Sequence, residues 1–275
     1  MEKRYKTALT IAGSDSSGGA GIQADIKTFS ALGCYAMSVI TALTAQNTTG
    51  VRAIHAVPPE FAAEQLEAIF TDIPPDSVKI GMLYSAELIE TVARMLTKYL
   101  ARNIVLDPVM AAQSGDSLLK EEAVEAVKTH LMPMASVVTP NVPEAEILLG
   151  SHIMNIAGME KAARDLAEFG SKSILVKGGH LEGDESTDIL FIPSQNRLVH
   201  IRGMRLDTRN NHGTGCTLSS AIASFLAHGS PIEEAVFKAK DYLTSAMKAG
   251  AAYEIGKGHG PVHHFHRLWK TLGQG

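Results

Sequence analysis

The stretch 77-SVKIGMLYSAELIETVARMLTKYLARNIVLDP-108 decides the fold. Its opening, 77-SVKIGM-82, is a short run rich in apolar and β-forming residues and reads as a buried strand. The segment 86-AELIETVARMLTKYL-100 reads as a helix, and 103-NIVLDP-108 as a second short strand. Strand, helix and strand at this rhythm imply a parallel β-α-β unit, and repetition of the unit implies a sheet covered on both faces.

The same rhythm extends in both directions. Upstream, 7-TALTIAG-13 predicts a strand, and 18-GGAGIQADIKTFSALG-33 a helix with Ile22, Ile26 and Phe29 at helical spacing and Gly33 as its stop. The segment 38-SVITALTAQ-46 reads as the next strand and 60-EFAAEQLEAIF-70 as the next helix. Downstream, 135-ASVVTP-140 and 173-SILVKGG-179 read as strands, with a helix over 120-KEEAVEAVKTHL-131. The pattern then changes, because 187-TDILFI-192 and 197-RLVHIRG-203 lie close enough in sequence to pair as an antiparallel edge. The remainder is helical: 216-CTLSSAIASFLAHG-229 puts Leu218, Ile222, Phe225 and Leu226 on one face, and 231-PIEEAVFKAKDYLTSAMKAGAAY-253 has proline in its first turn. No repeat or linker divides the chain, so a single domain over residues 1–275 is expected.

Composition narrows the function classes. Hydrophobic residues are 45% and charged residues 20%, enough to build a large core. A net charge of −4 gives no footprint for nucleic acid or an anionic membrane, so a small-molecule partner is expected. The apolar run in MEKRYKTALTIAGS is too short for a signal peptide or a membrane span, which points to the cytoplasm. Cys34 and Cys216 form no C-x-x-C pair, which excludes a disulfide framework and a cysteine zinc site.

Ligands of open parallel sheets bind beyond the carboxyl ends of the strands, and several polar residues fall there. They include Ser14 and Asp15, Gln46 and Asn47, Asp107, Asn141 and Glu144, and Lys177 to His180. The glycines of 13-GSDSSGGAG-21 permit a plain tight turn or a close approach to ligand. Asp25 lies on the shoulder of its helix's apolar face, either as a dipole-favoured carboxylate or as an acceptor aimed into a pocket. Gln46 either caps a turn or presents an amide to a heterocycle with adjacent ring nitrogen and amino group. Asp107 and Glu144 fit salt bridges or Mg²⁺ coordination. In 177-KGGH-180 a lysine beside glycines forms an exposed turn or balances phosphate charge. The histidines of 259-HGPVHHFH-266 lack a companion ligand at metal spacing and read as a surface or interface tail.

In 210-NNHGTGCTLSSAI-222, glycines precede a helix whose first N–H groups lack partners, an arrangement that favours an anion. Cys216 would sit at that end, either as a small core residue or as a thiol of lowered pKa able to act as base or nucleophile.

The ordered set ALTIAGSDSSGGAGIQADIKTFSALG, VITALTAQNT, KIGML, LDPVM, TPNVPEAE, VKGGH, HGTGCTLSSAIA and GKGHGPVHHFH resembles, nearly end to end, the hydroxymethylpyrimidine/phosphomethylpyrimidine kinases of thiamine biosynthesis. These belong to the ribokinase-like superfamily. The resemblance implies a ribokinase-like three-layer α/β fold: a mostly parallel central sheet, helices on both faces and an antiparallel edge. It implies ATP and Mg²⁺, a pyrimidine alcohol and its monophosphate as acceptors, and a homodimer. On the acceptor side it implies Gln46, Asp25, Gly13 and Met82. It puts Asp107 and Glu144 at Mg²⁺, and Asn141, Lys177, Gly178 and Gly215 at the nucleotide. Gly213, Thr214 and Gly215 would form the anion hole, with Lys177 and Cys216 completing the catalytic set. Many sugar kinases of the superfamily carry aspartate where this chain has Cys216, which follows the pyrimidine kinases.

Three rivals remain at this level. A pyridoxal or pyridoxine kinase shares nearly the same motifs. A cysteine hydrolase would use Cys216 with His212 or His180 as base, and a non-catalytic sensor would keep the fold alone.

Overall fold

The computed structural model describes residues 4–110, 121–179 and 185–271. Strand β1 (Lys6–Ala12) leads through the glycine turn into α1 (Gly21–Ala31) and then β2 (Cys34–Ile40). A hairpin of β3 (Ala42–Asn47) and β4 (Gly50–Ala56) follows, before α2 (Pro59–Asp72), β5 (Ser77–Ile80), α3 (Ala86–Lys98) and β6 (Ile104–Leu106). Next come α4 (Glu121–Ala126), β7 (Val137–Val138), α5 (Val142–Leu149), α6 (Ile156–Ala167) and β8 (Ile174–Val176). The chain continues through β9 (Glu185–Ile192), β10 (Arg197–Met204), α7 (Thr214–Ala227), α8 (Ile232–Gly250) and α9 (His266–Thr271).

Eight strands form one sheet in the order β10-β9-β8-β7-β6-β5-β1-β2. From β2 to β8 the neighbours run parallel, and β9 and β10 add the antiparallel edge. Side chains alternate across each strand, so every short run feeds two cores. Leu9 and Ile11 of β1, Ile104 and Leu106 of β6, and Ile174 and Val176 of β8 pack on the side covered by α2 to α6. Ala8, Val105 and Leu175, one residue out of phase, face α1, α7 and α8. Each such Leu, Ile or Val, removed from water, contributes roughly 1.5–3 kcal/mol. This is the three-layer arrangement that the sequence implied.

Several boundaries differ from the sequence reading. The run 38–46 is two strands: β2 stops at Ile40, and β3 turns away to pair with β4, an outcome not expected from the sequence. Thr41 makes the corner by donating its N–H to Ala12 O, while Ser14 N–H takes Ala42 O. Helices α5 and α6 were also unanticipated, although Asn141 and Asn155 cap them by accepting from Glu144 N–H and Gly158 N–H. The helix expected over 120–131 is α4 followed by a π turn, Val127–Leu131, and Lys120 lies outside the described residues. The strand expected over 135–140 is confined to Val137–Val138, and Pro231 is the N-cap of α8, one position before its first turn.

From β1 the chain steps outward to β2, then returns to place β5 on the other side of β1 and proceeds to β6, β7 and β8. The order therefore reverses between β1 and β5, the point beyond whose carboxyl ends open α/β sheets form their ligand crevice.

Candidate active site

Gly13 and Met82 lie at that reversal point. The Met82 methyl group folds over Gly13 so closely that a Cβ there would come within 2.9 Å of it. The glycine turn beyond Gly13 is tied together by one carboxylate. Asp15 accepts from Ser17 N–H at 2.9 Å, Ser17 Oγ at 2.7 Å, Gly19 N–H at 3.0 Å, Ala20 N–H at 2.8 Å and His212 Nε2 at 2.8 Å. Burial pushes its pKa up, but these donors outweigh burial, led by His212, and hold Asp15 well below the usual carboxylate range. The turn is a built structure with its charge satisfied.

Gln46 belongs to the small β3–β4 sheet, so the hairpin forms one wall of the crevice. Its backbone N–H donates to Ser16 Oγ at 2.9 Å, and Ser16 Oγ donates to Gln46 O at 2.7 Å. Its side-chain amide lies between Thr44 Oγ1 and His212 Nε2, at 3.3 and 3.5 Å. Asp25 has a different setting from the open pocket that was one of its two sequence readings. It is fully buried and accepts from Thr10 Oγ1 at 2.6 Å, Ser220 Oγ at 2.7 Å and Lys79 Nζ at 2.8 Å. Lys79 is also fully buried. Burial opposes its ammonium, yet the Asp25 charge prevails and raises its pKa above the lysine range. Lys79 is the site residue that sequence reasoning missed, and the signal was a lone lysine between the apolar Val78 and Ile80 of a strand read as buried.

A second charged cluster sits beyond β6, β7 and β8. Lys177 Nζ donates to Asp107 Oδ1 at 3.0 Å and lies 3.9 Å from Glu144 Oε2. Asp107 also accepts from Thr139 Oγ1 at 3.2 Å and Ser219 Oγ at 3.1 Å. Burial works against the Asp107 charge, but Lys177 and Lys79 overcome it and lower its pKa. Glu144 goes the other way: burial, joined by the Asp107 charge and resisted by Lys177, pushes it up to about 7. Glu144 and Asn141 form a reciprocal cap, Asn141 N–H to Glu144 Oε2 at 2.7 Å and Glu144 N–H to Asn141 Oδ1 at 2.8 Å. Among the described residues no three His, Cys, Asp or Glu side chains converge as a ready-made metal cage.

The two clusters are bridged by α7. Gly213, its N-cap, has φ 76°, and a Cβ there would overlap the Gly19 carbonyl oxygen, so only glycine lets the two loops touch. The N–H groups of Gly215 and Cys216 have no partner among the described residues, whereas Thr214 N–H is 3.4 Å from Asn211 O. A Cβ on Gly215 would stand 3.4 Å from Lys177 Nζ and 3.6 Å from Asp107 Oδ2, so the ammonium lies beside the helix end. Ser219 and Ser220, three and four residues after Cys216, reach Asp107 and Asp25 from the same helix face.

The lowered thiol pKa expected for Cys216 is overturned. Burial pushes the thiol up to about 11, and the favourable pull of Lys79 is offset by Asp25 and Asp107. His212, one base of the hydrolase reading, is engaged with Asp15, and His180, the other, lies outside the described residues. Gly178 is buried with its N–H donated to Asp188 Oδ1 at 2.9 Å, and a Cβ there would overlap Thr187 O, so its glycine is explained by the approach of β9.

A strap over residues 256–261 closes the other side. Gly258 N–H donates to Thr48 Oγ1 at 3.2 Å, His259 N–H to Thr48 O at 3.0 Å, and His212 N–H to Gly260 O at 3.0 Å. It ties the β3–β4 turn to the loop that carries Gly213 and Gly215. Of the tail histidines, His264 is buried against Thr217 Oγ1 at 3.1 Å, which is a packing contact.

Comparison with known proteins bears on this geometry. Residues 15–263 match the family described as phosphomethylpyrimidine kinase. The chain is 52% identical to the hydroxymethylpyrimidine/phosphomethylpyrimidine kinase of Rhizobium meliloti, over 96% of this chain and 98% of that one. It is also 52% identical to the thiamine biosynthesis bifunctional protein ThiED of Geobacter sulfurreducens, over 94% of this chain, but spans only 52% of that protein's length. Among solved structures, the Staphylococcus aureus pyridoxal kinase in complex with AMP-PCP and pyridoxal superposes with a TM-score of 0.88 at 35% identity, covering 97% of this chain and 96% of that one.

Proposed function

Because the chain belongs to the phosphomethylpyrimidine kinase family, we propose that it is an ATP-dependent phosphotransferase acting on 4-amino-5-hydroxymethyl-2-methylpyrimidine and then on its monophosphate, in thiamine biosynthesis. The observation that carries the reading is the end of α7. Unpartnered N–H groups of Gly215 and Cys216 stand beside the Lys177 ammonium, at the edge of the crevice between β1 and β5. Such a cradle stabilises charge on a transferring phosphoryl group, and phosphoryl transfer depends mainly on positioning and charge.

In this reading Gly213, Thr214 and Gly215 form the anion hole and Lys177 neutralises the phosphates. Asn141 and Gly178 line the nucleotide side through backbone shape. Gln46, with Gly13 and Met82, holds the pyrimidine, and Asp25 acts from beneath through Lys79 and Ser220. Cys216 faces the acceptor hydroxyl. The bond between the γ-phosphorus and the ADP oxygen breaks, a bond to the acceptor oxygen forms, and the hydroxyl proton leaves to the thiolate fraction of Cys216. Asp107 and Glu144 are the residues that would hold Mg²⁺, with Glu144 charged on binding. The charges support this: Asp25, Asp107 and Glu144 against Lys79 and Lys177 leave no positive surplus for a triphosphate. Mg²⁺ would supply it, needing only one or two protein carboxylates.

We extend the proposal to one kinase domain over residues 1–275, to a cytoplasmic location and to a homodimer. Among the described residues no helix is long and apolar enough to cross a membrane. Leu43 of the small sheet is 47% exposed, apolar surface suited to a second copy, which sedimentation equilibrium would reveal.

ADP release measured side by side with the hydroxymethylpyrimidine, its monophosphate, pyridoxal and ribose tests the function. Fast turnover of both pyrimidines is expected. Equal rates with pyridoxal would require a dual assignment, and turnover of any substrate without nucleotide would defeat the kinase reading.

A further inference from the structure

The histidines of 259-HGPVHHFH-266 have no part in the transfer described above, yet one of them reaches the first turn of α7. His264 is 5% exposed and Thr217 fully buried, and His264 Nε2 lies 3.1 Å from Thr217 Oγ1. The contact that packs the tail against α7 also has a fixed direction. Thr217 Oγ1 is 2.8 Å from Gly213 O, and a carbonyl carries no proton, so the single hydroxyl proton of Thr217 is donated there. Toward His264 the Thr217 oxygen can then only accept, which makes His264 Nε2 the donor. Burial, reinforced by the charges of Lys27, His263 and His266, pushes the His264 pKa down to about 3. At neutral pH the ring therefore has one N–H, and it is the one given to Thr217.

Gly213 O accepts twice, from Thr217 N–H at 2.9 Å and from Thr217 Oγ1 at 2.8 Å, which occupies both of its lone pairs. The same planar peptide carries Thr214 N–H on its opposite side, so a carbonyl held toward the helix aims that N–H out of the helix end. Among the described residues Thr214 N–H makes only a long contact, 3.4 Å to Asn211 O, too weak to set its direction alone. His264 is itself held from behind by α8: Tyr242 Oη donates to His264 O at 2.7 Å, and His263 N–H donates to Ala246 O at 3.0 Å.

We propose that His264 is a positioning residue for phosphoryl transfer: through Thr217 it locks the Gly213–Thr214 peptide so that Thr214 N–H points at the transferring group. A donor aimed beforehand needs no reorganisation when charge develops, whereas a peptide free to tilt must be reordered at that moment. Loss of the lock therefore shows in kcat and not in acceptor binding. The proposal rests on the reading of Gly213, Thr214 and Gly215 as the anion hole.

Steady-state ADP formation by His264→Phe, His264→Gln, Thr217→Val and Thr217→Ser tests it, with the aminopyrimidine alcohol and ATP each varied. His264→Phe keeps a ring and removes the donor, and kcat is expected to fall about tenfold, less than the full loss of an oxyanion-hole donor, with the acceptor KM unchanged. His264→Gln puts an amide N–H where the ring nitrogen stood and recovers most of that loss. Thr217→Val removes the link and matches the Phe variant, while Thr217→Ser keeps the hydroxyl and recovers most of it. Combining Phe with Val slows turnover no further, because the two act in series, whereas independent packing defects would multiply to about a hundredfold. Unchanged kcat in the Phe and Val variants overturns the proposal. So does equal damage from Gln and Phe, a multiplied loss in the double variant, or a nitrogen NMR spectrum that puts the His264 proton on Nδ1. Should His264→Phe fail to fold, Thr217→Val against Thr217→Ser decides, and equal kcat in those two overturns the proposal. Wild-type protein that forms no ADP with the aminopyrimidine refutes the functional reading and this inference with it, a distinct outcome.

Discussion

At the scale of the residue, Cys216 and Glu144 show how packing reverses what a sequence position suggests. A helix N-terminus favours thiolate, yet burial between paired charges raises the Cys216 pKa to about 11. In a Cys34→Ser background, alkylation of Cys216 by iodoacetamide should therefore be slow at pH 7 and accelerate about tenfold per pH unit up to pH 10, as the thiolate fraction grows. With the Cys216 thiolate taking the acceptor proton, as proposed, Cys216→Ala should turn over roughly 100-fold more slowly, the usual scale for a general base, and lose the rise of kcat with pH. A flat wild-type profile would remove that role. Glu144 makes a separate prediction. Its folded pKa, about 7, lies above the ordinary 4.5, so the folded protein binds more protons across that window. The stability it contributes is present below pH 4.5 and is lost as pH rises through 7. Glu144→Gln abolishes this dependence, so the wild-type melting temperature should fall relative to the variant by roughly 5 °C between pH 4.5 and 7.5. The residue types of the candidate site were legible in the sequence. Their charge states were not, because these depend on neighbours as distant as Lys79 and Asp25, paired across 54 positions.

At the scale of the element, α7 joins the two ionic clusters. Cys216, Ser219 and Ser220 share one face, and the helix can stand there only because Gly213 adopts a left-handed turn against Gly19 O. Gly213→Ala should both strain that turn and force the glycine loops apart. Turnover is expected to slow by about two orders of magnitude, with a lower melting temperature from a cost of roughly 1–3 kcal/mol for the backbone alone. Near-normal turnover would show that the cradle does not need this contact. The helix itself was visible in advance from Leu218, Ile222, Phe225 and Leu226. The hairpin was not, since 38–46 is continuously β-forming and nothing local marks the corner at Thr41. That corner is made by hydrogen bonds to Ala12 and Val57, which belong to other segments. Helices α5 and α6 were less legible for a different reason: Asn141 and Asn155 are N-cap residues, but an asparagine after a strand is equally compatible with a ligand role.

At the scale of the whole molecule, one reversal of strand order collects the site. The residues proposed for the acceptor side follow β1 and β5 or lie on the hairpin after β2, the charged cluster follows β6, β7 and β8, and α7 lies across both. The alternation of strands and helices disclosed that plan, because every β-α-β unit delivers its strand end to the same edge of the sheet. What joins the plan together is less local. The strap ties Gly258 to Thr48, positions separated by 210 residues. A ribosome adding 5–20 residues per second leaves the β3–β4 turn without this clamp for roughly ten to forty seconds. During that interval the hairpin turn lacks the partners that Gly258 and His259 give Thr48. Native assembly of this wall is therefore completed only when the far end of the chain arrives to fasten it.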